Sequence, residues 1–198
     1  MPTEKEKKEA LALKRSRAAK KASRKGKQGE YEVRDILSEL FYSSGGGACH
    51  KTPLSGAWGG MPILSGDLVC ITDKGLIDTR LPFFWEVKFR ARREFTPYRY
   101  LAGEFGILKD WYEVEKKKCA RNQGNLLPLL VWRANETPWF VFMDIGAFML
   151  LEDSLGMYGY GGKVESVWEH EEAEDGYVMI PLKDFCKWFE KSGFLKQT

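Results

Sequence analysis

Histidine is nearly absent and cysteine is sparse, and each shortage narrows what the chain can do. Two His and four Cys occur in 198 residues. Cys49, Cys70, Cys119 and Cys186 lie far apart with no C-x-x-C pair, which points to neither a zinc knuckle nor a disulfide framework. Reduced thiols are expected, with Cys70 and Cys119 acting as small hydrophobes in a strand and a helix. His50, beside a glycine loop, reads as an ordinary hydrogen-bonding side chain rather than a metal ligand, and His170 falls in an exposed acidic stretch. No apolar run approaches the roughly 20 residues of a spanning helix, and charges stand where a signal peptide would be apolar. A soluble, cytoplasmic protein is expected. There is no internal repeat, and Gly159 to Gly162 does not lead a strand into a helix, so no phosphate-binding loop is indicated.

What is present is enough apolar material for one core and a conspicuous charge asymmetry. Hydrophobic residues make up 43% of the chain and aromatics 14%, which fits one domain with an arm. Residues 1–27 hold eleven Lys or Arg against three Glu, a balance of +8, and the remaining chain carries −5. A basic arm on a mildly acidic body suits a polyanion such as nucleic acid, through phosphate neutralisation and counterion release. A solvated tail is the plainer alternative.

From Glu4 to about Lys25 the arm has good helix propensity and few apolar anchors, which predicts a helix formed on binding. Gly26 and Gly29 punctuate the chain. Val33, Ile36, Leu37, Leu40 and Phe41 then recur at helical spacing, the first core helix. A glycine loop at 45–47 precedes a short strand from Ala48 to Thr52, and a second loop runs from Pro53 to Pro62. Gly66 to Thr72 reads as an apolar strand, Asp73-Lys74-Gly75 as its turn, and Phe83 to Phe89 as the antiparallel partner. Lys109 to Arg121 is an amphipathic helix whose apolar residues include Trp111, Tyr112, Val114 and Cys119. Leu126 to Arg133 and Trp139 to Met143 form a hairpin, and Phe185, Trp188 and Phe189 mark a last helix. Asp153 to Glu174, Gly-rich and then acidic, has no place in the core.

Strand alternation singles out one cluster. Residues two apart share a face, so Glu86 and Lys88 project together while Trp85, Val87 and Phe89 point the other way. Pairing about the Asp73-Lys74-Gly75 turn brings Asp67 near the level of Glu86, where two carboxylates can share a divalent cation. Such a hard-oxygen site suits Mg²⁺, with Mn²⁺ able to substitute. Phosphodiester hydrolysis needs stabilised phosphoryl charge, an activated water and help for the departing oxyanion. A carboxylate-held cation supplies these, with Lys88 orienting the water. An Asp followed by Glu-x-Lys is a weak signal alone. Context strengthens it, because Glu86 and Lys88 interrupt a strand otherwise too apolar for a solvent edge.

In this order of elements the chain resembles the PD-(D/E)xK nuclease superfamily and is similar to archaeal and phage Holliday-junction resolvases. The resemblance covers roughly Gly26 to Phe142. It implies an α/β, restriction-endonuclease-like fold, a mixed central sheet flanked by helices, carrying the basic N-terminal arm. Residues 28–198 would form the nuclease domain, with 153–176 as a Gly-rich and acidic insertion. By resemblance, Glu30 matches the family's helix carboxylate, Asp67 the central metal ligand, Glu86 the second strand ligand and Lys88 the catalytic lysine. Lys51-Thr52-Pro53-Leu54-Ser55-Gly56 is similar to the resolvases' basic-x-Pro-x-Ser-Gly segment, which assigns Ser55 to the scissile phosphate or its water. Lys51 stands where Arg is usual, and Gly66 where many relatives have Pro. The resemblance further implies a homodimer acting on branched DNA, since two symmetric strands must be cut.

Arg90, Arg92, Arg93 and Arg99, interleaved with Phe95, Tyr98 and Tyr100, fit a surface that grips the nucleic-acid backbone, or equally a solvated loop with core-facing aromatics. Two rival readings remain. One is a restriction- or recombination-type nuclease acting on duplex ends or single strands. The other is a nucleic-acid-binding protein without cleavage, worked by its basic arm.

Overall fold

The computed structural model describes residues 3–43, 45–52, 66–81, 83–90, 99, 106–121, 126–154, 168–169 and 176–191. Helix α1 spans Glu4–Tyr42 and opens with a capping box: the Glu6 amide donates to the Thr3 hydroxyl while the Glu6 carboxylate accepts from the Thr3 amide. The punctuation expected at Gly26 and Gly29 does not occur. A helical glycine costs about 1 kcal/mol relative to alanine, which Ala-, Lys- and Arg-rich flanks can absorb. Gly29 is demanded by packing, since a Cβ there would lie 2.9 Å from Phe89 Cβ and 3.1 Å from the Trp139 ring. The arm, expected to order on binding, is therefore a direct extension of the core helix. It is exposed as far as Arg24 and becomes seated at Lys25. The Lys25 ammonium donates to the Arg90 carbonyl at 2.6 Å and lies 4.2 Å from the Phe89 ring centroid.

The strands β1 (Gly47–Lys51), β2 (Leu68–Thr72), β3 (Phe83–Arg90), β4 (Leu127–Ala134), β5 (Phe140–Asp144), β6 (Trp168–Glu169) and β7 (Tyr177–Pro181) form one seven-stranded sheet, ordered β1-β2-β3-β4-β5-β7-β6. β3 and β4 are parallel and the other neighbours antiparallel, which makes the sheet mixed. Parallel neighbours need a crossover, and helix α2 (Gly106–Arg121) supplies it. Helices α3 (Ile145–Ser154) and α4 (Leu182–Lys191) complete the α/β architecture. Among the described residues no helix is long and apolar enough to cross a membrane.

Ring contacts assign the two faces of the sheet. Phe83 packs edge-on against Phe185 and Phe189 of α4, and Phe189 meets Phe41 of α1, so α1 and α4 cover the face of Phe83 and Trp85. On the opposite face Tyr112 of α2 lies edge-on to Phe142 at 5.8 Å. Phe142 is level with Leu130, and Leu130 with Glu86, so α2 covers the face that carries Glu86.

Two elements differ from the sequence expectation. α3 follows β5 without a connecting loop, and Tyr177–Pro181, beyond the expected insertion, is a core strand paired with β5. The cysteines differ as well. Cys49 and Cys70 are directly opposite in the β1–β2 ladder and form a disulfide, whereas Cys119 and Cys186 are free and buried, as small hydrophobes are. Burial pushes the Cys119 thiol up to about 11, which keeps it protonated and unreactive.

Candidate active site

The centre of the site is the point where β2 meets β3. Leu68 pairs with Trp85, and the Asp67 amide donates to the same Trp85 carbonyl at 2.7 Å, so regular pairing stops here and Asp67 stands next to Glu86, whose carboxyl feels its charge. Beyond this point the Asp67 side chain takes over from the ladder, its Oδ2 accepting from the Val87 amide at 2.9 Å. Close approach of the strands requires Gly66, because a Cβ there would stand 2.8 Å from the Trp85 carbonyl oxygen. That contact accounts for glycine at this position.

Asp67 and Glu86 are each 8% exposed, and Lys88, two residues along β3, is ion-paired to Glu86. Among the described contacts each carboxylate accepts from a protein donor through one oxygen, Asp67 from the Val87 amide and Glu86 from Lys88. Burial pushes the Glu86 carboxyl up to about 7, the charge of Asp67 adds to the rise, Lys88 opposes it and Glu115 reinforces it. The charge of Asp67 therefore disfavours the ionised form of Glu86.

Glu115 is absent from the sequence-derived site. It lies on the buried stripe of α2, Leu108, Tyr112, Glu115 and Cys119, whereas Val114, expected on the apolar face, is 53% exposed. The spacing 108, 112, 115, 119 is the helical signal that places an acid where an apolar residue belongs. Lys118 donates to Glu115 Oε1 at 2.8 Å. Burial opposes the charge on Lys118, but the hydrogen bond and charge of Glu115, joined by the charges of Glu86 and Asp67, hold its pKa above the ordinary lysine value.

The other expected residues fall into three groups. Glu30 lies on α1 and pairs with Lys51, whose ammonium is also 4.7 Å from the Tyr31 ring centroid. Lys51 is level with Leu68, and the Thr52 amide donates to the Asp67 carbonyl at 3.1 Å, so the Glu30–Lys51 pair stands beside the Asp67 end of the sheet. Among the described contacts Glu30 does not touch Asp67 or Glu86. Glu32 and Asp35, its neighbours on α1, pair with Arg133 and Arg34. Arg90 ends β3 with its guanidinium 5.1 Å from the Trp111 ring centroid. Ser55, Arg92, Arg93 and His170 lie outside the described residues. His50 is exposed on β1.

The remaining buried acid is structural. Asp78 accepts from Tyr42 Oη at 2.7 Å and from the Arg80 guanidinium at 2.7 and 2.8 Å. These bonds hold its carboxyl below the ordinary range in spite of burial.

The sequence profile of the family described as "Phage putative PDDEXK endonuclease" matches residues 21–185. The chain belongs to this family of phage PDDEXK endonucleases. The nuclease has a curated relative in Protein D14 of Escherichia phage T5, 31% identical over 122 residues, which covers 61% of this chain and 69% of that protein. No solved structure matches significantly. Membership of the PD-(D/E)xK superfamily and the restriction-endonuclease-like fold agree with the sequence expectation.

The donor set of this PDDEXK endonuclease suits a hard, hydrated cation. Among the described residues no group of three or more His, Cys, Asp and Glu is arranged to hold a metal. Two carboxylates therefore leave most positions to water and substrate oxygens, which is how Mg²⁺ is usually bound.

Proposed function

We propose that the chain is a Mg²⁺-dependent endodeoxyribonuclease that hydrolyses phosphodiester bonds in branched DNA of the Holliday-junction kind. The observation that carries the hydrolytic reading is the closeness of two buried carboxylates, Asp67 and Glu86, with Lys88 paired to Glu86 on β3. When bound, a divalent cation supplies charge neutralisation at the phosphoryl and departing oxygens. Asp67 and Glu86 would hold Mg²⁺ or a substituting Mn²⁺, and Glu30 is the family's further candidate.

Asp67 is kept rigid by the Val87 amide, so its other oxygen needs no reorganisation on binding. Lys88, paired with Glu86, is the group that would orient the attacking water. The exposed basic face of α1 supplies phosphate contacts, Lys51 and Arg90 add basic character at the ends of β1 and β3, and Arg92 and Arg93 follow Arg90 in sequence. The branched-DNA reading is supported by the likeness of residues 51–56 to the resolvases' Ser55-containing segment, and it calls for a homodimer that cuts two strands symmetrically.

The test is cleavage of labelled four-way junction, duplex and single-stranded DNA by the full chain with Mg²⁺, beside Asp67→Asn, Glu86→Gln and Lys88→Ala. Preferential cutting of the junction, lost in the variants, is expected. Equal rates on the three substrates would overturn the branched-DNA reading, and activity untouched by all three substitutions would overturn the site.

A further inference from the structure

Glu115 has an unsatisfied oxygen in a place where the protein has no packing use for a charge. The residue is 4% exposed; its Oε1 accepts from Lys118, but its Oε2 is buried without a hydrogen-bond partner. A buried carboxylate oxygen left unpaired costs stability that an apolar side chain of similar size would not.

The geometry sets this oxygen beside the candidate site. Tyr112, one turn before Glu115, touches Phe142 on the face of the sheet that carries Glu86. Trp111 meets Arg90 at the end of β3, while Cys119 donates to the carbonyl of Leu126, next to Leu127, which is level with Phe83 at the start of β3. α2 thus runs antiparallel to β4, the parallel neighbour of β3, and Glu115, midway between those two contacts, lies on the side of the sheet that carries Glu86, one strand away. The charge of Glu115 helps to raise the Glu86 carboxyl, which agrees with this placement.

We propose that Glu115 is the third carboxylate of the cation site, an outer residue whose unpartnered oxygen serves the hydration shell of a divalent ion held by Asp67 and Glu86. The inference rests on the reading of those two residues as cation ligands. Glu115 is a positioning residue, and Lys118 balances its charge while the site holds no ion. Glu30 is likewise paired with a lysine, Lys51, but has no buried oxygen left without a partner.

The test is Mn²⁺ binding to the full chain without DNA, read from the paramagnetic resonance signal of free Mn²⁺, together with the melting temperature in chelator. Glu115→Gln, isosteric and uncharged, is expected to weaken Mn²⁺ binding by about ten- to a hundredfold, as loss of an outer-shell partner does. Its melting temperature in chelator should be unchanged or higher. Glu115→Asp, the second variant should the first fail to fold, should keep part of the affinity. Lys118→Met, which removes the cation paired with Glu115, should bind Mn²⁺ at least as tightly as the parent. Parental affinity in Glu115→Gln, with or without a lowered melting temperature, would overturn the proposal, as would an equal loss in Lys118→Met. Parental affinity in both Asp67→Asn and Glu86→Gln would instead refute the underlying cation site.

Discussion

Replacing Glu86 with Gln should stabilise the cation-free protein at neutral and alkaline pH, although it removes an acid from the centre of the nuclease. The Glu86 carboxyl rises from 4.5 to about 7 in the folded protein, first through burial and then through the charge of Asp67. At about 1.4 kcal/mol per pH unit, ionising it there costs on the order of 3 kcal/mol of folding stability. Folded Glu86 binds its proton more tightly than the unfolded chain does. The favourable contribution is therefore complete below 4.5 and lost as pH rises through about 7. Urea unfolding in chelator should show the parent falling behind Glu86→Gln across that window by roughly 3 kcal/mol, with the two differing by a constant below it. Saturating Mg²⁺ should close the gap from the parent's side, because a ligand that binds the folded state alone stabilises it. Parallel stability profiles for parent and variant in chelator would refute the argument that burial and Asp67 strain the Glu86 charge.

Other consequences follow from the same architecture. Reduction of the Cys49–Cys70 disulfide, which spans 21 residues of sequence, should lower unfolding stability by about 3 kcal/mol without abolishing cleavage, measured by denaturation with and without dithiothreitol. Removing residues 1–24 takes away nine Lys or Arg but spares Lys25, the anchor of α1. DNA affinity should fall and its salt dependence flatten, while cation-dependent cleavage persists at high protein concentration. A truncation that abolishes cleavage at saturating protein would mean that the arm belongs to the catalytic machinery. Gly66→Ala should cost roughly 1–3 kcal/mol by overpacking against the Trp85 carbonyl and should slow cleavage. Parental stability and rate would show that β2 and β3 need not approach so closely.

The parts of the site that the sequence made legible were those governed by strand geometry. Alternation along Phe83–Arg90 separated Glu86 and Lys88 from Trp85 and Val87. The return of the chain to β2 brings Asp67 near Glu86 as expected, although the turn around Lys74 itself pairs Ile71 with Ile77 and β3 joins further along, at Leu68 and Trp85. What stayed hidden depended on contacts between distant segments. Glu115 is one acid among several in a Lys-rich helix, and it becomes conspicuous once α2 is laid on a particular face of the sheet. The Cys49–Cys70 pairing needs the register of β1 against β2, which residues 52–67 separate in sequence. Gly29 read as punctuation because its local propensity is poor, whereas its presence reflects the approach of Phe89 and Trp139 to α1. Tyr177–Pro181 was masked by the acidic stretch before it, since its role as a strand comes from pairing with β5.

The central claim, that Asp67, Glu86 and Lys88 form a hydrolytic centre for DNA, is tested most directly by single-turnover cleavage with Mg²⁺. Parent and Lys88→Ala should be compared at protein concentrations that saturate the DNA. Lys88→Ala should bind DNA as the parent does and cut it at least about 100-fold more slowly, the scale of a lost proton-handling group. Cleavage by Lys88→Ala at the parental rate, with parental DNA affinity, would contradict the account.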